Sequence, residues 1–164
     1  MIRLAGRPQL GIVAAACAAA AAVSALSGCG AVAHAAPSLA MTSAYIPQPT
    51  TPGTTVAYLD IRNNGAADRL ISASTSVGGK VAFRAPAGVH AGTLIMRSEP
   101  DIVIPADSTL RLNPGSEHLL ITGAGPMHDG KDIVLRLTFA HAGTFSVVAV
   151  VTNAQSGGSS YFLN

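Results

Sequence analysis

Five histidines and three internal methionines are the side chains of this sequence best suited to binding a soft metal ion. They are His34, His90, His118, His128 and His141, with Met41, Met96 and Met127. Both cysteines, Cys17 and Cys29, fall near the start of the chain, so a domain built from the later residues has no thiol for a nucleophile, a disulfide or a thiolate ligand. Imidazole and thioether ligands together favour Cu(I) over zinc or magnesium.

The first 28 residues have the layout of an export signal. Arg3 and Arg7 precede a long, alanine-rich apolar run, and the segment contains no acidic residue. It ends in "LSGC", which resembles the bacterial lipobox, where the chain is cut before the cysteine and the thiol is acylated. We therefore predict a lipoprotein signal peptide over 1–28 and a lipid on Cys29. The alternatives are an uncleaved anchor or a later cut near "AHAA"; in every case the folded part lies outside the cytoplasm.

The charge of the remaining chain is balanced. Two of the ten basic residues lie in the signal segment, so eight remain against eight acidic residues. This balance gives no support for a basic surface that binds nucleic acid.

After the signal, the chain is organised as a tether, one domain and a tail. Residues 29–39 are small and contain proline, which is typical of a tether from the lipidated cysteine. Short β-strand patterns separated by Gly, Pro and Asn then follow from 40 to 153, and the Gly/Ser-rich segment 154–164 is predicted to be a flexible tail.

The strand pattern is clearest in the last two β segments. In 131–140 the apolar residues alternate with polar ones, and 143–152 repeats the pattern after the "HAG" link of a tight hairpin. The residues predicted to face the core are Ile133, Leu135, Leu137 and Phe139, then Phe145, Val147, Ala149 and Val151. Eight or nine such strands without a helical period predict a single antiparallel β-sandwich.

Motifs of the common enzyme classes are missing from the sequence. There is no G-x-S-x-G, no phosphate-binding loop, and the acidic residues stand singly at turns. We therefore do not expect an enzyme.

Three segments in order resemble the PCuAC family of periplasmic copper chaperones. They are "AYLDIRNNGAADRL", "NPGSEHLLITG" and "LRLTFAHAG", and the resemblance extends over roughly 45–152. It implies a cupredoxin-like, Ig-like β-sandwich. It also implies a Cu(I) site made of two histidines and two methionines.

The resemblance places only half of that ligand set on this chain. Met96 and His118 keep the family's spacing, but Arg84 stands near the position of the first histidine and Leu120 at that of the last methionine. A guanidinium has no lone pair for a metal, and its positive charge would oppose Cu⁺. Candidate substitutes for the missing ligands are His90, Met127 and His128, whereas His34 and His141 are interpreted as structural residues.

Two functions follow as hypotheses. In the first, the protein is a lipid-anchored extracytoplasmic protein that binds Cu(I) through Met96 and His118. It could then deliver the metal to the copper centres of a respiratory oxidase, through its assembly machinery, or to another copper protein. In the second, the fold is kept without the metal, and the tethered domain acts as a protein-interaction or envelope module. Arg84 and Leu120 favour the second hypothesis.

Overall fold

The computed structural model describes residues 36–153, which form ten strands joined by turns. The predicted signal peptide, most of the tether and the tail, together with Cys29 and His34, lie outside these residues. The strands are β1 (Leu39–Pro47), β2 (Thr54–Asn63), β3 (Asp68–Thr75), β4 (Lys80–His90), β5 (Thr93–Glu99), β6 (Ile102–Ile104), β7 (Ser108–Leu112), β8 (His118–Thr122), β9 (Asp132–Phe139) and β10 (Gly143–Thr152). Within 36–153 there is no helix with the length and apolar character needed to cross a membrane.

The strands hydrogen-bond in the order β5-β4-β8-β2-β1-β10-β9-β3-β6, with β7 paired separately to β2. The long strand β2 changes partners along its length. Its first part, Thr54–Ala57, pairs with β8, and its second part, Leu59–Asn63, pairs with β7. This switch joins the β5-β4-β8 section to the rest of the sheet.

The predicted all-β architecture is confirmed, with two differences in detail. The structure has ten strands rather than eight or nine because β1 and the three-residue β6 were not predicted from sequence. One pairing is also parallel rather than antiparallel, that of β1 with β10, with Tyr45 opposite Val150. The remaining strand pairs are antiparallel.

One apolar core receives side chains from both ends of the sheet order. Phe83 of β4 and Leu119 of β8 belong to the same buried cluster as Leu70 of β3 and Ile104 of β6. The sheet therefore folds over a single core, as a β-sandwich does. The alternation predicted for β9 is confirmed: its four apolar residues from Ile133 to Phe139 are 0–2% exposed.

Asn63 holds the turn after β2 and is 1% exposed. Its side chain bonds four backbone groups: it accepts from the N–H of Ser38 and Gly65, and it donates to the carbonyls of Ala66 and Pro105. A Cβ on Gly65 would lie 2.2 Å from the carbonyl oxygen of Ala36, so only glycine fits there. The "NNG" segment of the sequence therefore has a structural role.

Asp68, at the start of β3, is 2% exposed and fixes the hairpin between β9 and β10. Its carboxylate accepts hydrogen bonds from the backbone N–H of Arg69 (2.7 Å), His141 (3.0 Å) and Ala142 (2.8 Å). Burial by itself raises the pKa of this carboxyl. The three amide hydrogen bonds and the nearby His141 lower it by more, so the pKa lies below its usual value. The "DRL" and "HAG" segments are thus parts of one structural unit.

Candidate metal site

Strand β8 places His118 and Leu120 on the same face of the sheet. Both are half-buried and alternate with Leu119 and Ile121, which are 0% exposed in the core. This is the alternation that the sequence predicted. The outer face of β8 therefore carries one imidazole and one aliphatic side chain, followed by the hydroxyl of Thr122.

The ring of His118 is oriented by two contacts. Its Nδ1 lies 3.0 Å from the carbonyl oxygen of Ser116, and since a carbonyl can only accept, Nδ1 carries the proton and donates it. The ring of Tyr58 meets it edge-on, with 6.0 Å between the ring centroids. Neutral His118 therefore keeps the lone pair on Nε2, as histidines that bind metals commonly do.

Arg84 is the direct cross-strand neighbour of His118. In the register of β4 it lies opposite His118 on one side and opposite Ser98 of β5 on the other. Its guanidinium donates to the hydroxyl of Ser98 (2.6 Å) and to the backbone carbonyl of Met96 (3.0 Å). The half-buried arginine is therefore directed toward β5, where its partners are neutral.

Met96 lies on β5, two residues before Ser98, and is half-buried. It pairs with Pro86 and shares the face that carries Arg84 and His118. Because β4 runs between β5 and β8, the backbones of β5 and β8 are about 10 Å apart. Met96 and His118 thus flank Arg84 on one face, without being direct neighbours.

A β-bulge in β4 adds one residue between Arg84 and Met96 that has no counterpart on β5. The register shifts between Pro86 and Gly88, so Ala87 has no partner on β5. The hairpin absorbs one residue there, and the pairing of Arg84 with Ser98 is kept.

The three substitute donors named from the sequence lie elsewhere. His90 is at the tip of the β4–β5 hairpin, and its pairing with Thr93 puts it on the opposite face from Met96. Met127 is 4% exposed and packs in the core. His128 follows it and is exposed in the loop after β8, and this loop leaves β8 at Thr122, whereas His118 is at the start of the strand. The fold therefore brings none of them to Met96 and His118. His141 is exposed in the β9–β10 turn.

Two tyrosines were missed by the sequence reasoning: Tyr58, whose ring contacts His118, and its ring partner Tyr45. Tyr58 packs against Tyr45 with 5.1 Å between ring centroids. Burial and the neighbouring Tyr45 raise the pKa of Tyr58; burial and the charge of Asp60 raise that of Tyr45. Both rings are therefore neutral at physiological pH. The sequence does contain a sign of this contact: Tyr58 is a large aromatic residue at an outward position of β2, where a polar side chain is usual.

Across the described part of the chain, no three His, Cys, Asp or Glu side chains group closely enough to hold a metal ion. The arrangement that could take a metal is the pair of one thioether and one imidazole on the outer face of β5 and β8. Such a pair suits Cu(I), which accepts few ligands and soft ones.

A family model described as "Putative lipoprotein LpqE-like" matches residues 39–151, which is nearly all of the described domain. The chain belongs to the LpqE-like lipoprotein family. A curated relative, "Putative lipoprotein Lxx21020" from Leifsonia xyli subsp. xyli (strain CTCB07), is 25% identical over 111 residues, covering 66% of this chain and 67% of the relative.

Solved PCuAC domains share the fold of this LpqE-like protein. The copper-bound PCuAC domain from PmoF2 is 20% identical with a TM-score of 0.60, and it aligns over 73% of this chain and 97% of its own length. The apo PCuAC domain from PmoF1 is 18% identical with the same TM-score, over 73% of this chain and 99% of its own. The PCuAC-type fold expected from the sequence is confirmed.

Proposed function

We propose that this LpqE-like protein is a lipid-anchored, extracytoplasmic, non-enzymatic protein that binds Cu(I) through Met96 and His118. It would then pass the ion to another copper protein outside the cytoplasm, such as an oxidase during assembly. The carrying observation is the hydrogen bond from His118 Nδ1–H to the Ser116 carbonyl, which leaves Nε2 free of a proton on the face that also carries Met96. The copper-bound state of a PCuAC domain with the same fold supports the choice of metal.

Arg84 would make this a weak site. Two unit charges about 6 Å apart repel each other by roughly 3 kcal/mol at an effective dielectric constant of about 20. A guanidinium beside bound Cu⁺ would therefore lower the affinity by up to about a hundredfold. A weak site with two protein ligands leaves coordination positions for ligands of an acceptor protein, which suits transfer better than storage.

A second candidate is a metal-free member of the family that acts through protein contacts. The observation in its favour is that the Arg84 guanidinium already bonds Ser98 and the Met96 carbonyl between the two candidate ligands. In this case the outer face of β4, β5 and β8 would be a contact surface, with Arg84 as its charged centre.

A competition titration with Cu(I) separates the two candidates. The protein is titrated against a chromogenic chelator, in parallel with Met96→Ala and His118→Ala, and with His128→Ala as a matched control at an exposed histidine away from the site. Copper binding that is lost in the first two variants and kept in the control supports the chaperone. No binding by the parent protein would leave the metal-free function, whereas equal binding by all four proteins would refute Met96 and His118 as the copper ligands.

The anchor has its own test. Cells that express the parent chain or Cys29→Ser are fractionated, and the lipid is followed by incorporation of a labelled fatty acid. We expect the parent in the membrane fraction with label and the variant without label. Equal labelling of both chains, or no label on either, would refute lipidation at Cys29.

A further inference from the structure

The outer half of the β4–β5 hairpin extends beyond the rest of the sheet. Strand β8 pairs with β4 only from Lys80 to Arg84, whereas β4 and β5 remain paired as far as His90 and Thr93. β5 is also the last strand of the sheet order. The hairpin tip therefore has no neighbouring strand among the described residues.

This tip is apolar on both faces. Val89 and Leu94 are cross-strand partners and are 71% and 39% exposed, and Ile95, on the opposite face, is 44% exposed. The turn between the strands, Ala91 and Gly92, has positive φ at both residues, as a tight hairpin turn requires. Adjacent exposed aliphatic residues on a projecting element indicate a contact surface.

The same hairpin is basic. Strands β4 and β5 carry Lys80, Arg84, His90 and Arg97 but only one acidic residue, Glu99. Arg97 pairs with Glu99 just after it, and Arg84 bonds neutral groups. An apolar tip with cations behind it matches the interface of a membrane that contains anionic phospholipids.

The chain enters the domain at the end of the sheet toward which the hairpin projects. β2 and β4 both run antiparallel to β8, so Asn63 at the end of β2 and the tip of β4 extend in one direction. Leu39, the first residue of β1, pairs with Asn63. Six residues separate Cys29 from Ala36, and a fully extended chain of this length spans at most about 25 Å.

We propose that the tip formed by Val89, Leu94 and Ile95 rests in the headgroup region of the membrane that anchors the protein. The aliphatic side chains enter the interface, and the two arginines of the hairpin, Arg84 and Arg97, face anionic phospholipid, whereas Lys80 lies at the end of β4 away from the tip. A short tether and a second contact point together would fix the orientation of the domain on the membrane. This inference rests on the lipid anchor of the proposed function and is independent of copper binding.

The experiment uses the full chain, purified from membranes and reconstituted into vesicles of phosphatidylcholine and phosphatidylglycerol. Single cysteines are introduced as Val89→Cys or Leu94→Cys and labelled with an environment-sensitive thiol dye. The matched controls are Val134→Cys and Val148→Cys, because these valines are also an exposed cross-strand pair (38% and 53%) but lie on β9 and β10. Circular dichroism checks the fold of each variant, and the parent chain reports background labelling.

We expect the probes at the hairpin tip to show blue-shifted emission and to lose fluorescence to brominated lipids, and the two control probes to show neither. Tip probes that emit as in water would overturn the proposal. So would tip probes that are shielded but not quenched by brominated lipid, since protein would then cover the tip. Recovery of the parent chain in the soluble fraction would show that the chain has no lipid anchor, and the membrane proposal would fail with it. A failed copper titration would leave the membrane proposal unaffected.

Discussion

Replacing Asp68 tests whether the hairpin between β9 and β10 depends on one buried carboxylate. Asp68→Ala removes three hydrogen bonds from backbone amides to a charged acceptor. Each bond of this type contributes about 1.5–3 kcal/mol. Because His141 is exposed and water can reach its amide in the variant, we take the lower end of this range and expect a total loss of about 4.5 kcal/mol.

This loss is large for a small domain, whose total stability is about 5–15 kcal/mol. It corresponds to a fall in Tm of roughly 15 °C for a domain of this size. The chain contains no tryptophan, so urea and thermal unfolding are followed by circular dichroism. Asp68→Asn is the matched variant, since it keeps one acceptor oxygen and loses the charge, and it should lie between the parent and Asp68→Ala.

The pH dependence gives the same reasoning an independent test. The pKa of Asp68 is lowered in the folded protein, so its stabilising effect is complete above the unfolded pKa of about 3.9 and is lost as the pH falls through the folded value. The free energy of unfolding of the parent should therefore exceed that of Asp68→Asn at pH 7, and the gap should narrow below about pH 4. Equal stabilities at pH 7, or a gap that stays constant at acid pH, would refute the argument.

Three further variants test the turn after β2 and the metal site. Gly65→Ala should lower the Tm far more than Gly125→Ala, because an added Cβ lies 2.2 Å from the Ala36 carbonyl oxygen in the first case and 3.3 Å from the Val77 carbonyl oxygen in the second, and neither glycine has a positive φ; similar thermal melts would contradict this. Arg84→Leu should raise Cu(I) affinity by up to about a hundredfold in the chelator titration, since like-charge repulsion is removed without adding a ligand; unchanged affinity would show that the guanidinium does not oppose the metal. Leu120→Met should raise the affinity by about tenfold, or roughly 1.4 kcal/mol, by adding a thioether on the His118 face, and a decrease would show that the two side chains do not converge.

The β-rich domain could be predicted because most strands carry their burial pattern locally. Alternation in β9 assigns every second residue from Ile133 to Phe139 to the core without knowledge of any other strand. β1 and β6 lack such a signal: β1 contains a bulge with positive φ at Ser43, and β6 has only three residues. The parallel β1–β10 pairing joins distant segments, and no local pattern specifies it.

The candidate site could be predicted only in part, for a similar reason. Alternation placed His118 and Leu120 on one face correctly, and the chemistry of the guanidinium showed that Arg84 cannot replace the histidine that the resemblance implies. The face occupied by His90 depends on the bulge at Ala87, which shifts the register of the hairpin and leaves no mark in the spacing of apolar residues. Met127 was treated as a loop donor, but tertiary packing buries it in the core.

The pairing of β1 with β10 bears on when this chain can fold. β1 lies between β2 and β10 in the sheet. Its second edge therefore gains a hydrogen-bonded partner only when β10, the last strand in the sequence, is present. Contacts between the two ends of a chain must close a long loop, which slows folding. For a protein that we propose is exported, this order delays the native state until the whole domain has been translocated, and it helps to keep the chain unfolded while it crosses the membrane.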